Sequence, residues 1–214
     1  MRHRIDIEQF ERKNSIHFFQ NFPDPNISIT SEVECTGARA RAKARGVSFF
    51  LYYAHAMLKA CNEIKEFKYR MDTAGELYYY DTIDALAVIR TGENGRYNTL
   101  RFPYHEELQT FAQTACRIID EHEVSTSPFE SEEDCPQDDL GVFLLSALPT
   151  LSFTGISFAH QSAMDGYPLS LIGKLIQREG KEYIPIGLKV NHAFIDGHHL
   201  ALYYQRVSTL LMTS

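Results

Sequence analysis

The stretch "IPIGLKVNHAFIDGHHL", Ile184 to Leu200, begins as a clean alternation and then breaks into polar residues. Ile184, Ile186, Leu188 and Val190 fall on one face of an extended chain, because successive side chains in a strand point to opposite sides. The strand is expected to run from Tyr183 to Val190. Pro185 lacks a backbone donor, which suggests an edge or strand-start position. His192 follows Val190 by two and keeps the parity of the apolar face. Gly197 ends the polar cluster, and a helical period begins just after it. A histidine held at a strand end beside a turn is a common mount for chemistry.

Working outward, two further helical periods appear. "FFLYYAHAMLKACNEI" (Phe49 to Ile64) is apolar almost all round, so it reads as a deeply packed helix. "HEELQTFAQTACRIIDEH" (His105 to His122) places Leu108, Phe111, Ala112, Ala115, Ile118 and Ile119 on one stripe. The last helix runs from about His198 to Leu211, with Leu200, Tyr203, Tyr204, Val207 and Leu211 on one side. Strand signals lie in "ELYYYD" (Glu76 to Asp81) and "ALAVIR" (Ala85 to Arg90), close enough to read as a hairpin. "GVFLLSA" (Gly141 to Ala147) and "LSFTGISF" (Leu151 to Phe158) read as two more. These elements predict one domain over residues 1–214: an α/β (α+β) two-layer sandwich, with a mixed sheet and helices mainly on one side.

The 214 residues suit one domain and can bury a core without disulfides. The formal charge of -7 repels a phosphate backbone, so nucleic-acid binding is not expected. Six of the carboxylates crowd into "FESEEDCPQDD" (Phe129 to Asp139), which reads as a solvated surface loop. Cys35, Cys61, Cys116 and Cys135 show neither a CxxC spacing nor a disulfide framework. The first residues lack the apolar run of a signal peptide, and no stretch is apolar for the length of a membrane span. A soluble cytoplasmic protein is the simplest expectation.

"VNHAFIDGHHL" resembles the signature of the chloramphenicol acetyltransferase family: a histidine pair, three residues, Asp-Gly, an aromatic and another histidine. "IDIEQFERKNSIHFFQ" (Ile5 to Gln20), "GELYYYD" (Gly75 to Asp81) and "LLSALPTLSFTGISF" (Leu144 to Phe158) resemble other family segments in the same order. The resemblance spans about Ile5 to Leu210. It implies an acetyl-CoA-dependent O-acetyltransferase that inactivates an antibiotic, with acetyl-CoA as cosubstrate and chloramphenicol as the leading acceptor. Another small hydroxylated acceptor, or a silent ligand-binding member, is the alternative. By the same resemblance His192 is the general base and Ser146 stabilises the oxyanion. Asp196 pairs with Arg12 to brace the loop. Phe19, Tyr97, Leu171 and Phe158 fall in the acceptor pocket. The resemblance further implies a homotrimer with each site at a subunit boundary.

The chemistry is coherent on its own terms. A hydroxyl is a poor nucleophile at neutral pH and needs a base as it attacks, and histidine is the residue type suited to that task. The tetrahedral intermediate carries an oxyanion that a hydroxyl donor can stabilise. No metal is expected, because His192, His198, His199 and Asp196 match no zinc spacing. The chain departs from the family pattern at Asn191, where the pair has its first histidine. It departs again at His198 for the aromatic, at Thr150 after Pro149, and at Leu171 for a pocket threonine. Without the resemblance, His192 reads as a satisfied core histidine, Ser146 as a small strand residue, and Asp196 as a helix N-cap.

Overall fold

A computed structural model describes residues 1–91, 96–122, 140–158 and 166–213. In chain order the elements are β1 (Arg2–Ile5), α1 (Lys13–Phe19), β2 (Asn26–Glu34), α2 (Ala38–Ala44), α3 (Phe49–Glu63), β3 (Tyr69–Met71), β4 (Leu77–Tyr80) and β5 (Asp84–Thr91). They continue with β6 (Arg96–Phe102), α4 (Leu108–His122), β7 (Val142–Ala147), β8 (Leu169–Ile172), β9 (Ile176–Arg178), β10 (Lys181–Asn191) and α5 (Gly197–Thr213). The acidic stretch Phe129 to Asp139, with Cys135, lies outside the described residues.

Among the described residues two sheets form. The larger has the order β2-β10-β8-β7-β5-β6, with β9 also on β10. It is mixed: β5–β7 and β7–β8 are parallel, and the other pairs are antiparallel. One face carries Ile184, Ile186, Leu188 and Val190 together with Phe143, Leu145, Ala85, Ala87 and Phe102, all buried in the core beneath α3, α4 and α5. The two-layer expectation matches this arrangement. The period of α3 holds from Leu51 to Asn62, and Ser48 caps its first turn by accepting from the Leu51 amide at 3.2 Å.

Three expectations are corrected. β4 and β5 do not form a hairpin. β4 lies between β1 and β3 in the smaller sheet, whereas β5 pairs with β6 and β7. Alternation marks a strand but does not name its partner. Leu151 to Phe158 forms no strand and instead crosses the sheet face opposite the helices. Pro185 is interior, not at an edge: β2 pairs along one side of β10, while β8 and β9 share the other. Its carbonyl accepts from Gly173 at 2.8 Å, in the break between β8 and β9. The donor that proline lacks is therefore absent on the side where the ladder is already interrupted.

The smaller sheet is tied to the larger by a buried arginine. Arg70 of β3 is 1% exposed. It donates to the carbonyls of Phe67 (2.7 Å) and Tyr69 (2.8 Å) beside it, and to those of Leu140 (2.7 Å) and Val142 (2.9 Å) at the start of β7. A buried charge must be hydrogen-bonded to be tolerated, and these carbonyls supply the acceptors.

The crossing at Leu151 to Phe158 depends on two glycines. A Cβ on Gly187 would lie 2.1 Å from Ile156 Cδ1. One on Gly173 would lie 2.6 Å from Pro185 Cγ, 2.9 Å from the Phe153 ring and 3.0 Å from the Leu151 carbonyl oxygen. Ile156 can turn aside, but the proline ring and the backbone cannot. Gly173→Ala is therefore expected to destabilise the protein by about 1–3 kcal/mol, as overpacking of a filled site does. A urea melt checks this, with Gly187→Ala showing the smaller loss.

Candidate active site

β10 ends at Asn191, and the chain turns through Asn191 to Asp196 into α5. His192 stands one residue past the strand, half-buried. Its amide donates to the Pro25 carbonyl at 2.8 Å, which ties the turn to the segment before β2. Its ring stacks on Phe19 of α1, with centroids 4.6 Å apart and planes 24° apart. Nδ1 lies 3.1 Å from the Ile195 carbonyl oxygen. A carbonyl only accepts, so Nδ1 carries a hydrogen, and in the neutral ring Nε2 is then the acceptor nitrogen. Nε2 lies on the ring's far side from that bond.

Asp196 braces the turn. It occupies the N-cap of α5, and its Oδ1 accepts from the amides of His198 (3.0 Å) and His199 (3.4 Å). His199 Nδ1 lies 2.9 Å from Oδ1 and 3.2 Å from the Asp196 amide nitrogen, so the His199 side chain closes the cap from the other side. Oδ2 accepts from Arg12 Nη1 at 3.1 Å. Burial pushes the Asp196 carboxyl up. The hydrogen bond from Arg12 and the two histidine amides outweigh it, so the carboxyl sits below its ordinary 3.8.

Ser146 is elsewhere. It is half-buried near the end of β7, with its side chain on the sheet face opposite the helices, directly beside Leu171 of β8. Leu171 is in turn paired with Gly187. From Gly187, Ser146 is two strands across, about 10 Å, and His192 is five residues along, about 16 Å. The two lie about 19 Å apart within one chain by this register. Tyr97 is on β6, the far edge of the sheet, and is 58% exposed. Phe158 is half-buried in the crossing segment. One chain therefore gathers two groups: His192, Phe19, Arg12 and Asp196 in one, and Ser146 with Leu171 in the other.

Sequence reasoning missed the backbone carbonyls of Pro25 and Ile195, which leave no mark on residue type. It also missed Phe18 and Phe22, which pack against Phe19 at 5.0 and 5.3 Å and are 61% and 43% exposed. The run "FFQNF" (Phe18 to Phe22) was the available signal. Among the described residues no cluster of His, Cys, Asp and Glu could hold a metal, and no helix is long and apolar enough to cross a membrane.

A strand-end imidazole mounted on a mixed sheet backed by helices fits an acyltransferase fold. The chain belongs to the chloramphenicol acetyltransferase family, whose profile matches residues 2–207. It is similar to the chloramphenicol acetyltransferase of Clostridium perfringens, 24% identical over 96% of this chain and 93% of that one. A solved structure of a chloramphenicol acetyltransferase is 49% identical, covers 99% of this chain and 100% of its own, and superposes with a TM-score of 0.93. The cubic core of the pyruvate dehydrogenase multienzyme complex shares the fold at 18% identity, over 94% of this chain and 86% of its own, with a TM-score of 0.61.

Asp196→Ala removes both the cap and the charged partner of Arg12. It is expected to lower stability by about 1–3 kcal/mol, the range of a cap together with a partly exposed charged hydrogen bond. Asp196→Asn keeps the cap and should lose less. A carboxyl whose pKa is depressed in the folded state contributes stability above its unfolded value, and that contribution disappears as pH falls through the folded one. Urea melts from pH 6 downward should therefore show the wild-type advantage over Asp196→Asn shrinking below about pH 4.

Proposed function

We propose that the protein transfers the acetyl group of acetyl-CoA to a hydroxyl of chloramphenicol. The observation that carries the reading is the 3.1 Å contact of His192 Nδ1 with the Ile195 carbonyl, which in the neutral ring leaves Nε2 available as a base. In the proposed reaction Nε2 takes the proton of the acceptor hydroxyl as its oxygen attacks the thioester carbonyl. The tetrahedral oxyanion accepts a hydrogen bond from Ser146 Oγ. Collapse breaks the C–S bond, and the imidazolium returns its proton to the departing thiolate. The products are an acetyl ester and free coenzyme A.

The register supports a shared site. With His192 and Ser146 about 19 Å apart in one chain, a single substrate reaches both only if they come from different copies. A homotrimer with sites at its subunit boundaries satisfies this. Phe19, stacked on the base, fits an apolar wall for an aromatic acceptor. Leu171 beside Ser146 makes that side of the acceptor pocket apolar, where the family pattern has a threonine hydroxyl. This favours, as the second reading, the same transfer to a different small alcohol. Tyr97 and Phe158 complete the pocket on the Ser146 side.

Thiol release from acetyl-CoA, with and without chloramphenicol, tests the reading. Chloramphenicol-dependent release is expected, and His192→Ala should lower it by ~10²–10⁴. Ser146→Ala should lower kcat by ~10²–10³ with little change in KM, because the oxyanion exists only in the transition state. Near-normal turnover in His192→Ala would defeat the assignment. Release that appears only with another alcohol moves the acceptor and leaves the chemistry standing. Chains carrying His192→Ala and chains carrying Ser146→Ala, refolded together in equal amounts, should regain about a quarter of wild-type activity, since that share of boundary sites receives both intact groups. No recovery would place both groups in one chain's site.

A further inference from the structure

The turn that carries His192 has an unusual dependence on one neighbour. Its backbone amides are all engaged. The His192 amide goes to Pro25, and the Asp196 amide to His199 Nδ1. The three between them all go to Asn191. The Phe194 and Ile195 amides donate to its backbone carbonyl at 3.2 and 3.1 Å. The Ala193 amide donates to its side-chain Oδ1 at 2.9 Å. That last bond closes an Asx turn, in which a side-chain oxygen two residues back takes the place of a backbone carbonyl.

The amide of Asn191 is used from one end only. The residue is 5% exposed, and its Nδ2 is buried without a hydrogen-bond partner. A buried, idle donor is a standing penalty, so the side chain is retained for its oxygen. That oxygen fixes the turn's first bend. The Ile195 carbonyl, which accepts from His192 Nδ1, belongs to the same turn. We propose that Asn191 is a positioning residue for the acetyl-transfer reaction: through the Asx turn it holds His192 in the tautomer whose Nε2 is free to act as the base.

The proposal rests on the reading of His192 as that base, so its test needs a readout apart from turnover. The imidazole nitrogen shifts of His192, assigned in 15N-histidine-labelled protein by comparison with His192→Ala, report which nitrogen bears the hydrogen. Wild type is expected to show a single Nδ1–H tautomer. Asn191→Leu, which removes the acceptor at similar size, should show a mixture, and its kcat should fall about tenfold or more while KM for acetyl-CoA stays within about twofold. Asn191→Asp keeps the acceptor oxygen and discards the idle donor. It should restore the single tautomer and most of kcat. Should Asn191→Leu fail to fold, Asn191→Ser, a weaker acceptor in the same geometry, is expected to give an intermediate mixture and an intermediate kcat. An unchanged tautomer in Asn191→Leu, or in Asn191→Ser if only that variant folds, overturns the proposal. So does a fall in kcat that Asn191→Asp fails to reverse. A tautomer that shifts as expected in a protein that transfers no acetyl group to any alcohol would leave the positioning intact and defeat the acetyl-transfer reading instead.

Discussion

β10 is hydrogen-bonded along both of its edges and buried on both of its faces over its C-terminal half. A strand in that position cannot slide, because a shift of one residue would turn Ile184, Ile186, Leu188 and Val190 out of the core. The His192 group is built off its end. Asn191 is the last paired residue, opposite Asn26 of β2. The turn it anchors carries His192, and α5 starts at the cap that ends the turn. A reactive side chain on a flexible loop would spread over many positions, whereas one mounted a single residue beyond a fixed strand inherits the strand's rigidity.

The candidate residues fall into two separate groups on one sheet. His192 and the residues that support it gather around the end of β10, the turn and α1. Ser146 and Leu171 stand side by side on β7 and β8. The strand register of the larger sheet holds these groups apart. Closing the gap within a chain would mean breaking the ladder.

Much of this was legible in the residues, and the rest was hidden for identifiable reasons. The alternation from Ile184 to Val190 and the periods of α3, α4 and α5 are strong because each buries one continuous face. β1, β3 and β9 are three or four residues long, too short to show a period. β2 mixes Ile27, Ile29 and Val33 with Ser, Thr and Glu, because its other face is not core. The β4–β5 hairpin failed because both edges of β4 are taken, one by β1 from the start of the chain and one by β3 just before it. Pro185 misled because the ladder break that admits it is made by β8 and β9, not by β10. At the site, the identities of His192, Asp196 and Arg12 could be read from the sequence. What fixes the imidazole is a pair of backbone carbonyls, and those depend on the path of the chain.

Arg70 has a consequence for how the molecule comes apart. Its guanidinium sits in the interior between the smaller sheet and the first residues of β7, with acceptors supplied from both sides. If β7 peeled away alone, two of the carbonyls that accept from the charged group would leave with it. If β3 left alone, the same charge would have to be dragged out past Leu140 and Val142. Neither partial opening is cheap, so the two sheets are joined into one cooperative unit despite sharing no strand. An opening that disturbs the arginine on either side therefore strains both sheets at once.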